Sequence, residues 1–399
     1  MMDKKKKNYL LGVAHGVFYF ASNGFVDYTT VLPTFLKYLV NSNSLIGFVA
    51  AIARGGSIFF QLLSAFWLQG KKKKPYLVFS LWVRFLSWVM IAASSFVLLP
   101  SHPIIELVVF IVFISLFSFA GGIATIPFYD IISHNIPSQL LGRFWAMRQF
   151  IGGILAVGSG YAVKLILNNY GFPKGYQLLF VLAALGFGFT SLSLGLMDEG
   201  FEEQKQNRSF VAFLGDALSL LKNNPRFRGL VFSEFLSHSI FMCLPFVAIY
   251  TSSKLGMPTS KIGYFVSIQM VGSIASNLFW GYFADKKGAR FIIITTNMLA
   301  LLVPLFSLIF KNPVLFLAVF FVMGAYMHGT FIGYTNYLLK IAPSQQRPTY
   351  VSIRGTFNAL SYFLPALGGY IADGFSFEVL FIVTLSFSFA ALIVSLRLK

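Results

Sequence analysis

The chain has 399 residues, of which 57% are hydrophobic and only 11% charged, with a mean hydropathy of +0.74. A soluble domain covers its surface with about 25% charged residues, so this is the composition of a polytopic membrane protein. The net charge of +18 would point to nucleic acid in a soluble chain; here the bases orient the spans, and no nucleic-acid partner is expected.

Lipid cannot satisfy backbone polar groups, so spans must be helices or a closed barrel. The apolar runs are about twenty residues long and lack strand alternation, which selects helices. The single cysteine, Cys243, lies inside one such run and excludes an intrachain disulfide.

Lys4 to Lys7 precede the first span, Tyr9 to Tyr38, and by the positive-inside rule they hold the N-terminus in the cytoplasm. No separate cleavable signal precedes that span, so it is expected to stay in the mature protein. A polar outer turn, Asn41-Ser42-Asn43-Ser44, leads into the second span, Leu45 to Leu68, which Lys71 to Lys74 and Pro75 close on the inside. Further spans read as Tyr76 to Leu98, Ile104 to Ile132, Phe144 to Leu167 and Tyr176 to Met197.

Glu199, Glu202, Glu203, Lys205 and Arg208 then break the hydropathy. The apolar residues Phe210, Phe213, Leu214, Ala217, Leu218 and Leu221 fall on one helical face, which predicts a short helix lying on the membrane surface. The second half gives spans at Leu230 to Thr251, Ile262 to Ala284, Phe291 to Phe310, Val314 to Leu339, Val351 to Ala372 and Phe377 to Leu396. The organisation is six spans, a cytoplasmic linker, and six spans: residues 1–198, 199–228 and 229–399. Outside the spans, Lys and Arg fall mainly on the inner side, the outer ones being Lys37, Lys164, Lys174, Lys254, Lys261 and Lys311. Both termini are therefore expected in the cytoplasm.

The halves repeat. Ile46-Gly47, Ile52, Gly56-Ser57-Ile58 and Leu62 pair without a gap with Ile262-Gly263, Ile268, Gly272-Ser273-Ile274 and Leu278. Pro137-Ser138-Gln139 followed by Arg148 matches Pro343-Ser344-Gln345 followed by Arg354 at equal spacing. Two parallel six-helix repeats imply two bundles related by an axis along the membrane normal, with a cavity near the midplane. The repeating helices are rich in small residues, as in Gly47-x-x-x-Ala51, Gly152-x-x-x-Ala156 and Gly272-x-x-x-Ser276, which permit close helix approach.

Between the eighth and ninth spans stands Gly281-Tyr282-Phe283-Ala284-Asp285-Lys286-Lys287-Gly288-Ala289-Arg290. Gly281 leaves room for another helix, Gly288 supplies the reversal, and the bases prefer the cytoplasmic face. This spacing, G-x-x-x-D-K-K-G-x-R, resembles the signature loop of the major facilitator superfamily, which in that family joins the second to the third helix and recurs between the eighth and ninth. The resemblance implies two six-helix bundles that rock about a midplane cavity, with the second, fifth, eighth and eleventh helices sliding between them. In that family the loop acid docks near the cytoplasmic end of a helix in the other half. Carried onto this chain, Asp285 would meet the start of the fifth span near Arg143 or Arg148, where the helix N-terminus also attracts it. The first-half copy of the loop keeps its positive charge but has Gln69 where the acid would stand, so the latch would be asymmetric. The fourth span lacks the arginine, and the fifth the proline, associated with drug antiporters of the family.

A charge inside a membrane costs a few kcal/mol or more and needs a partner, a watery cavity or a route to the interface. Asp27 lies well inside the first span, six residues before Pro33, and is too short to reach the interface. It could hold a proton, pair with a cation, or bond a neighbouring helix. Glu234 and His238, one turn apart on the seventh span, could form a proton-linked pair. Arg54 and Arg84 either favour an anionic substrate in the cavity or satisfy acids and carbonyls in a bundle core. Arg148 and Arg354, near the inner ends of their helices, either snorkel or share a role. Asp130 is a further possible partner for Arg143. His328, Tyr326, Asn336 and Tyr337 on the tenth span, with Phe18, Tyr19 and Asn23 on the first, could line an aromatic and polar pocket.

The sequence thus predicts an all-α polytopic membrane protein with twelve transmembrane helices in two pseudo-symmetric bundles. The expected function is a secondary active transporter that moves a small organic solute by alternating access, coupled to protons. Alternatives are a non-transporting sensor or scaffold, or a membrane-embedded transferase. Substrate and proton candidates are Asp27, Arg54, Arg84, Glu234, His238 and His328; gating candidates are Asp285, Arg290, Arg143, Arg148, Arg354, Gly281 and Gly288. No P-loop, paired metal-ligand motif or nucleophile elbow is visible, so no cofactor, metal or enzymatic activity is expected. The expected setting is a plasma membrane of bacterial inner-membrane type, with the protein a monomer in the lipid bilayer.

Overall fold

A computed structural model of the chain describes residues 4–68, 71–198, 210–343 and 346–398. Gln69, Ser344 and Gln345 of the repeat motifs, and the linker residues Glu199, Glu202, Glu203, Lys205 and Arg208, lie outside the described residues. Among the described residues all regular structure is helical, and nine helices are long and apolar enough to cross a membrane. The longest of these, Ile262–Ile309, is two helices joined across Gly288, whose φ of 78° only glycine adopts without strain. Two further spans are broken into shorter helices, at Asp27 and at Tyr362, so the architecture is consistent with the twelve crossings read from the hydropathy.

The chain packs as two compact units. The first comprises Met1–Leu39, Ile52–Arg208 and Thr259–Ser267. It contains α1 (Lys4–Phe25), α2 (Val31–Leu39), most of α3 (Asn43–Trp67), α4 (Lys74–Leu98), α5 (Pro103–Asn135), α6 (Ser138–Tyr170) and α7 (Lys174–Gly195). Within this unit α1 packs on α6 and α7, and α4 on α5 and α7. Its interior is aromatic: Phe35, Trp88, Phe110 and Phe180 are fully buried, and Phe35 meets Phe180 edge to face with ring centroids 4.8 Å apart. Lys73, just before α4, donates to Asp130 on α5 at 2.7 Å.

The break between α1 and α2 has a local cause. Asp27 Oδ1 accepts from the Thr29 backbone N–H at 2.9 Å, from Thr29 Oγ1 at 2.5 Å and from Thr30 Oγ1 at 2.9 Å. These side chains compete with the helical backbone bonds and turn the chain before α2 starts. Pro33 falls in the first turn of α2, where its missing N–H has no intrahelical partner to lose.

The second unit comprises Val40–Ala51, Ser209–Pro258 and Ile268–Lys399. It contains α8 (Phe210–Asn223), α9 (Pro225–Ser237), α10 (Leu244–Ser253), most of α11 (Ile262–Ile309), α12 (Phe316–Ile341), α13 (Arg347–Ser361), α14 (Leu364–Gly374) and α15 (Phe377–Leu396). A 3-10 turn, His238–Met242, separates α9 from α10, and Pro245 at the start of α10 cannot donate back across it. Pro365 has the same position at the start of α14. In the seventh span, Pro225–Ser253, 89% of the most apolar stretch is buried, so this helix faces protein on all sides. Asp373 at the end of α14 accepts from the backbone N–H groups of Asn43 at 2.8 Å and Ser44 at 2.7 Å.

Candidate functional site

The first unit contains a cavity of about 260 Å³ lined by residues of α1, α3, α4, α5, α6 and α7 and of the break before α2. Two arginines, Arg84 from α4 and Arg148 from α6, share it with His15, Tyr19, Tyr28, Phe117, Phe128 and Tyr129. No carboxylate is among its lining residues.

Both guanidinium groups rest on aromatic faces. The Cζ of Arg84 lies 4.3 Å from the Phe117 ring centroid, and that of Arg148 lies 4.7 Å from the Phe128 centroid. Such stacking offsets part of the desolvation of an arginine without using its N–H donors. Glycines make the room: a side chain at Gly121 would meet Arg84, and one at Gly16 would overlap the stem of Arg148. His15, 5% exposed, stacks on Phe128 with centroids 5.1 Å apart.

The hydroxyls of the wall are already engaged. Ser57 Oγ donates to the Arg54 carbonyl at 2.8 Å, Ser118 Oγ to the Ile52 carbonyl at 2.8 Å, and Thr125 Oγ1 to the Gly121 carbonyl at 2.9 Å. By contrast Arg84 Nε, Arg148 Nη1 and His15 Nδ1 are buried without a hydrogen-bond partner among the described residues. Buried polar atoms are normally satisfied, so three in one cavity mark a place built to receive something.

The second unit has a polar network of a different kind. Arg354 on α13 donates to Glu234 on α9 through Nε at 2.6 Å and Nη2 at 2.5 Å, and its Nη1 reaches Thr335 Oγ1 at 3.1 Å. Around it, Tyr334 is hydroxyl-paired with Ser233 at 2.9 Å, Tyr326 donates to the Ser237 carbonyl at 2.8 Å, and His238 Nδ1 lies 2.9 Å from Ser361 Oγ.

The candidates taken from the sequence therefore separate. Arg84 and Arg148 come together in the cavity with Tyr19; Asp27 and Arg54 are not among its lining residues, Asp27 being 6% exposed and turned into the helix break. Glu234 bonds Arg354, and His238, just past the end of α9 at Ser237, lies against Ser361 on α13. Asp130 pairs with Lys73, and Arg143 is exposed. Arg148 does not snorkel, being only 7% exposed, and Arg354 is held by its acid. His328 is half-buried on α12. In the loop, Asp285 and Gly281 are exposed, and Arg290 donates to the Leu396 carbonyl at 2.7 Å. His15, Gly16 and Tyr129 were not singled out in the sequence; the one available signal was a histidine next to a glycine in an apolar run.

Solved structures of several transporters share this fold. Over 100% of this chain and 99% of the other, the structure superposes on the nucleoside transporter NupG with a TM-score of 0.70 at 16% identity. It superposes on a POT family transporter in complex with a thioalcohol-conjugated peptide with a TM-score of 0.70 at 11% identity, covering 98% and 94%. Identities this low speak for the fold alone. Residues 230–399 match the Major Facilitator Superfamily.

A curated relative, the Na(+), Li(+), K(+)/H(+) antiporter of Planococcus maritimus, is 36% identical over 66 residues. That match spans 16% of this chain and 15% of the relative's length. The loop that carried the resemblance is the one bent at Gly288.

Proposed function

We propose that the chain is a secondary active transporter that moves a small organic solute across the membrane by alternating access, coupled to protons. The observation that carries this reading is the cavity of the first unit, with two buried arginines on aromatic faces and no acid in its lining. Intramembrane charge is expensive, and where it lines a cavity it marks a substrate or ion path. The family match over residues 230–399 and the fold shared with solved transporters support transport as the class of activity. The moving bodies in this proposal are the halves 1–198 and 229–399 joined by the linker 199–228, in a bacterial inner membrane with both termini cytoplasmic, acting as a monomer.

Proton coupling is assigned to the Glu234 and Arg354 pair. A proton on Glu234 removes the charge that Arg354 depends on and frees a buried guanidinium, which is the kind of local change that biases a two-state bundle. Asp285 with Arg143, Arg148 and Arg290 remains the proposed gate, and Gly288 its bend. The relative named as a cation/H(+) antiporter is in keeping with proton coupling.

The test is thermal-shift screening of a metabolite library against the purified protein at about pH 5.5 and about pH 7.5, on wild type, Glu234→Gln and Asp27→Asn. The proposal expects a ligand whose stabilisation depends on pH in the wild type and not in Glu234→Gln. Loss of the pH dependence in Asp27→Asn alone moves the coupling to Asp27. Stabilisation indifferent to pH in all three contradicts proton coupling.

A further inference from the structure

The two halves repeat Arg148 and Arg354 at matching positions, and the structure shows the two arginines in opposite states. Each lies against the first helical segment of its own half. Arg354 meets Glu234 on α9, and the acid takes the guanidinium through two nitrogens. Arg148 meets Gly16 on α1, where the missing side chain leaves room for the arginine stem and supplies no acid. Its Nη1 is buried and unpartnered among the described residues, at 7% exposure, and it lines the cavity.

We infer that the cavity of the first unit takes a small organic carboxylate with an unsaturated ring, whose carboxylate engages Arg148 as Glu234 engages Arg354. This rests on the transport reading above and deepens it by naming the substrate class. A planar fork of N–H donors matches a carboxylate in two-point fashion, and a charge-assisted pair of this kind is the strongest contact available to a buried arginine. Arg84 on α4 presents a second unfilled donor, Nε, and His15 Nδ1 a third polar atom. The wall also carries the rings of Tyr19, Phe117, Phe128 and Tyr129, with Leu77 and Leu81, while the hydroxyls of Ser57, Ser118 and Thr125 are spent on backbone carbonyls, which suits a flat ring rather than a sugar or a polyol. A cation has no acid to meet there, and a neutral solute leaves two guanidinium groups unpaired. The volume of about 260 Å³ is near the lower end for ligand sites, which limits the body to one ring.

The ring lining gives the binding a direct readout. Trp145 stands with its ring centroid 5.2 Å from the Arg148 Cζ, so a ligand drawing Arg148 toward it alters the indole surroundings. The experiment uses the purified full chain in detergent, with three probes: nicotinate, its neutral isostere nicotinamide, and propionate, which keeps the carboxylate and lacks the ring. Binding is read by titration calorimetry, with Trp fluorescence as the second signal. The inference expects nicotinate to bind about tenfold or more tightly than either of the others. It expects Arg148→Gln and Arg84→Gln each to lose about tenfold or more in nicotinate affinity, with Arg148→Lys between wild type and Arg148→Gln. Melting curves without ligand establish that each variant is folded; should Arg148→Gln fail to fold, Arg148→Lys and the probe comparison on the wild type decide.

Nicotinamide binding as tightly as nicotinate, or nicotinate affinity unchanged in both glutamine variants, overturns the carboxylate assignment. Propionate equal to nicotinate overturns the ring. Failure of all three probes also overturns the inference, whereas the transport reading fails only if the library screen at both pH values returns no ligand of any class.

Discussion

Arg354 and Glu234 form a two-point ion pair, 2.6 Å and 2.5 Å between heavy atoms, in side chains that are 13% and 3% exposed. The partners are separated by 120 residues in the chain. Breaking such a pair from one side leaves a buried charge without compensation, which costs more than the pair itself contributes.

Glu234→Ala is therefore expected to destabilise the protein by about 3–5 kcal/mol, and Arg354→Ala by a similar amount. The double variant Glu234→Leu with Arg354→Met should cost clearly less than the two single changes combined, because it leaves no orphan. Melting in detergent reads all of these. Additive losses would show that the two groups are stabilised by other contacts.

Asp27 offers a cleaner separation of structure from chemistry. Its Oδ1 accepts from the Thr29 backbone N–H and from the Thr29 and Thr30 hydroxyls at the helix break. Asparagine keeps that oxygen, so Asp27→Asn should change the melting temperature little, while Asp27→Ala should cost about 1–2 kcal/mol, as for the loss of a helix cap. A large loss in Asp27→Asn would mean that the charge itself holds the break.

Small residues bring α11 and α12 together within the second unit. A side chain at Gly324 would overlap the Gln269 carbonyl oxygen, and one at Gly272 the Phe321 carbonyl oxygen. Both neighbours are backbone and cannot swing aside. Gly324→Ala is expected to cost about 1–3 kcal/mol through forced separation of the helices, again read by melting. By contrast Gly281→Ala, with no atom within 4 Å of the added carbon, should be silent in stability.

Much of the fold was legible in the sequence because a span is a matter of length and apolarity, and both can be counted. The reversal at Gly288 was legible for the same kind of reason: a glycine among charges between two apolar runs. The breaks were not. Pro33 was the visible interrupter, yet the chain turns earlier, where Asp27, Thr29 and Thr30 bond one another, and such side-chain competition has no periodic signature. Glu234 and His238 have helical spacing, but that spacing gives no sign of Arg354, which lies 120 residues away and takes the Glu234 carboxylate. The cavity was half legible. Arg84 and Arg148 stood out as charges in apolar runs, but Arg54 and Asp27 stood out equally. Only tertiary placement over Gly121 and Gly16, with Phe117 and Phe128 beneath, separates the first two. His15 offered only its place beside Gly16 in an apolar run.

The central claim is that the chain couples movement of a small organic solute to protons, through the arginine cavity of the first unit and the Glu234 pair of the second. The most direct measurement is uptake of labelled nicotinate into liposomes containing the purified protein, with and without an imposed pH gradient, using protein-free liposomes as baseline. The account predicts uptake above baseline that rises with the gradient in the wild type, is lost in Arg148→Gln, and in Glu234→Gln continues as exchange without responding to the gradient. Uptake that is unchanged by the gradient in the wild type, or that persists in full in Arg148→Gln, would contradict it.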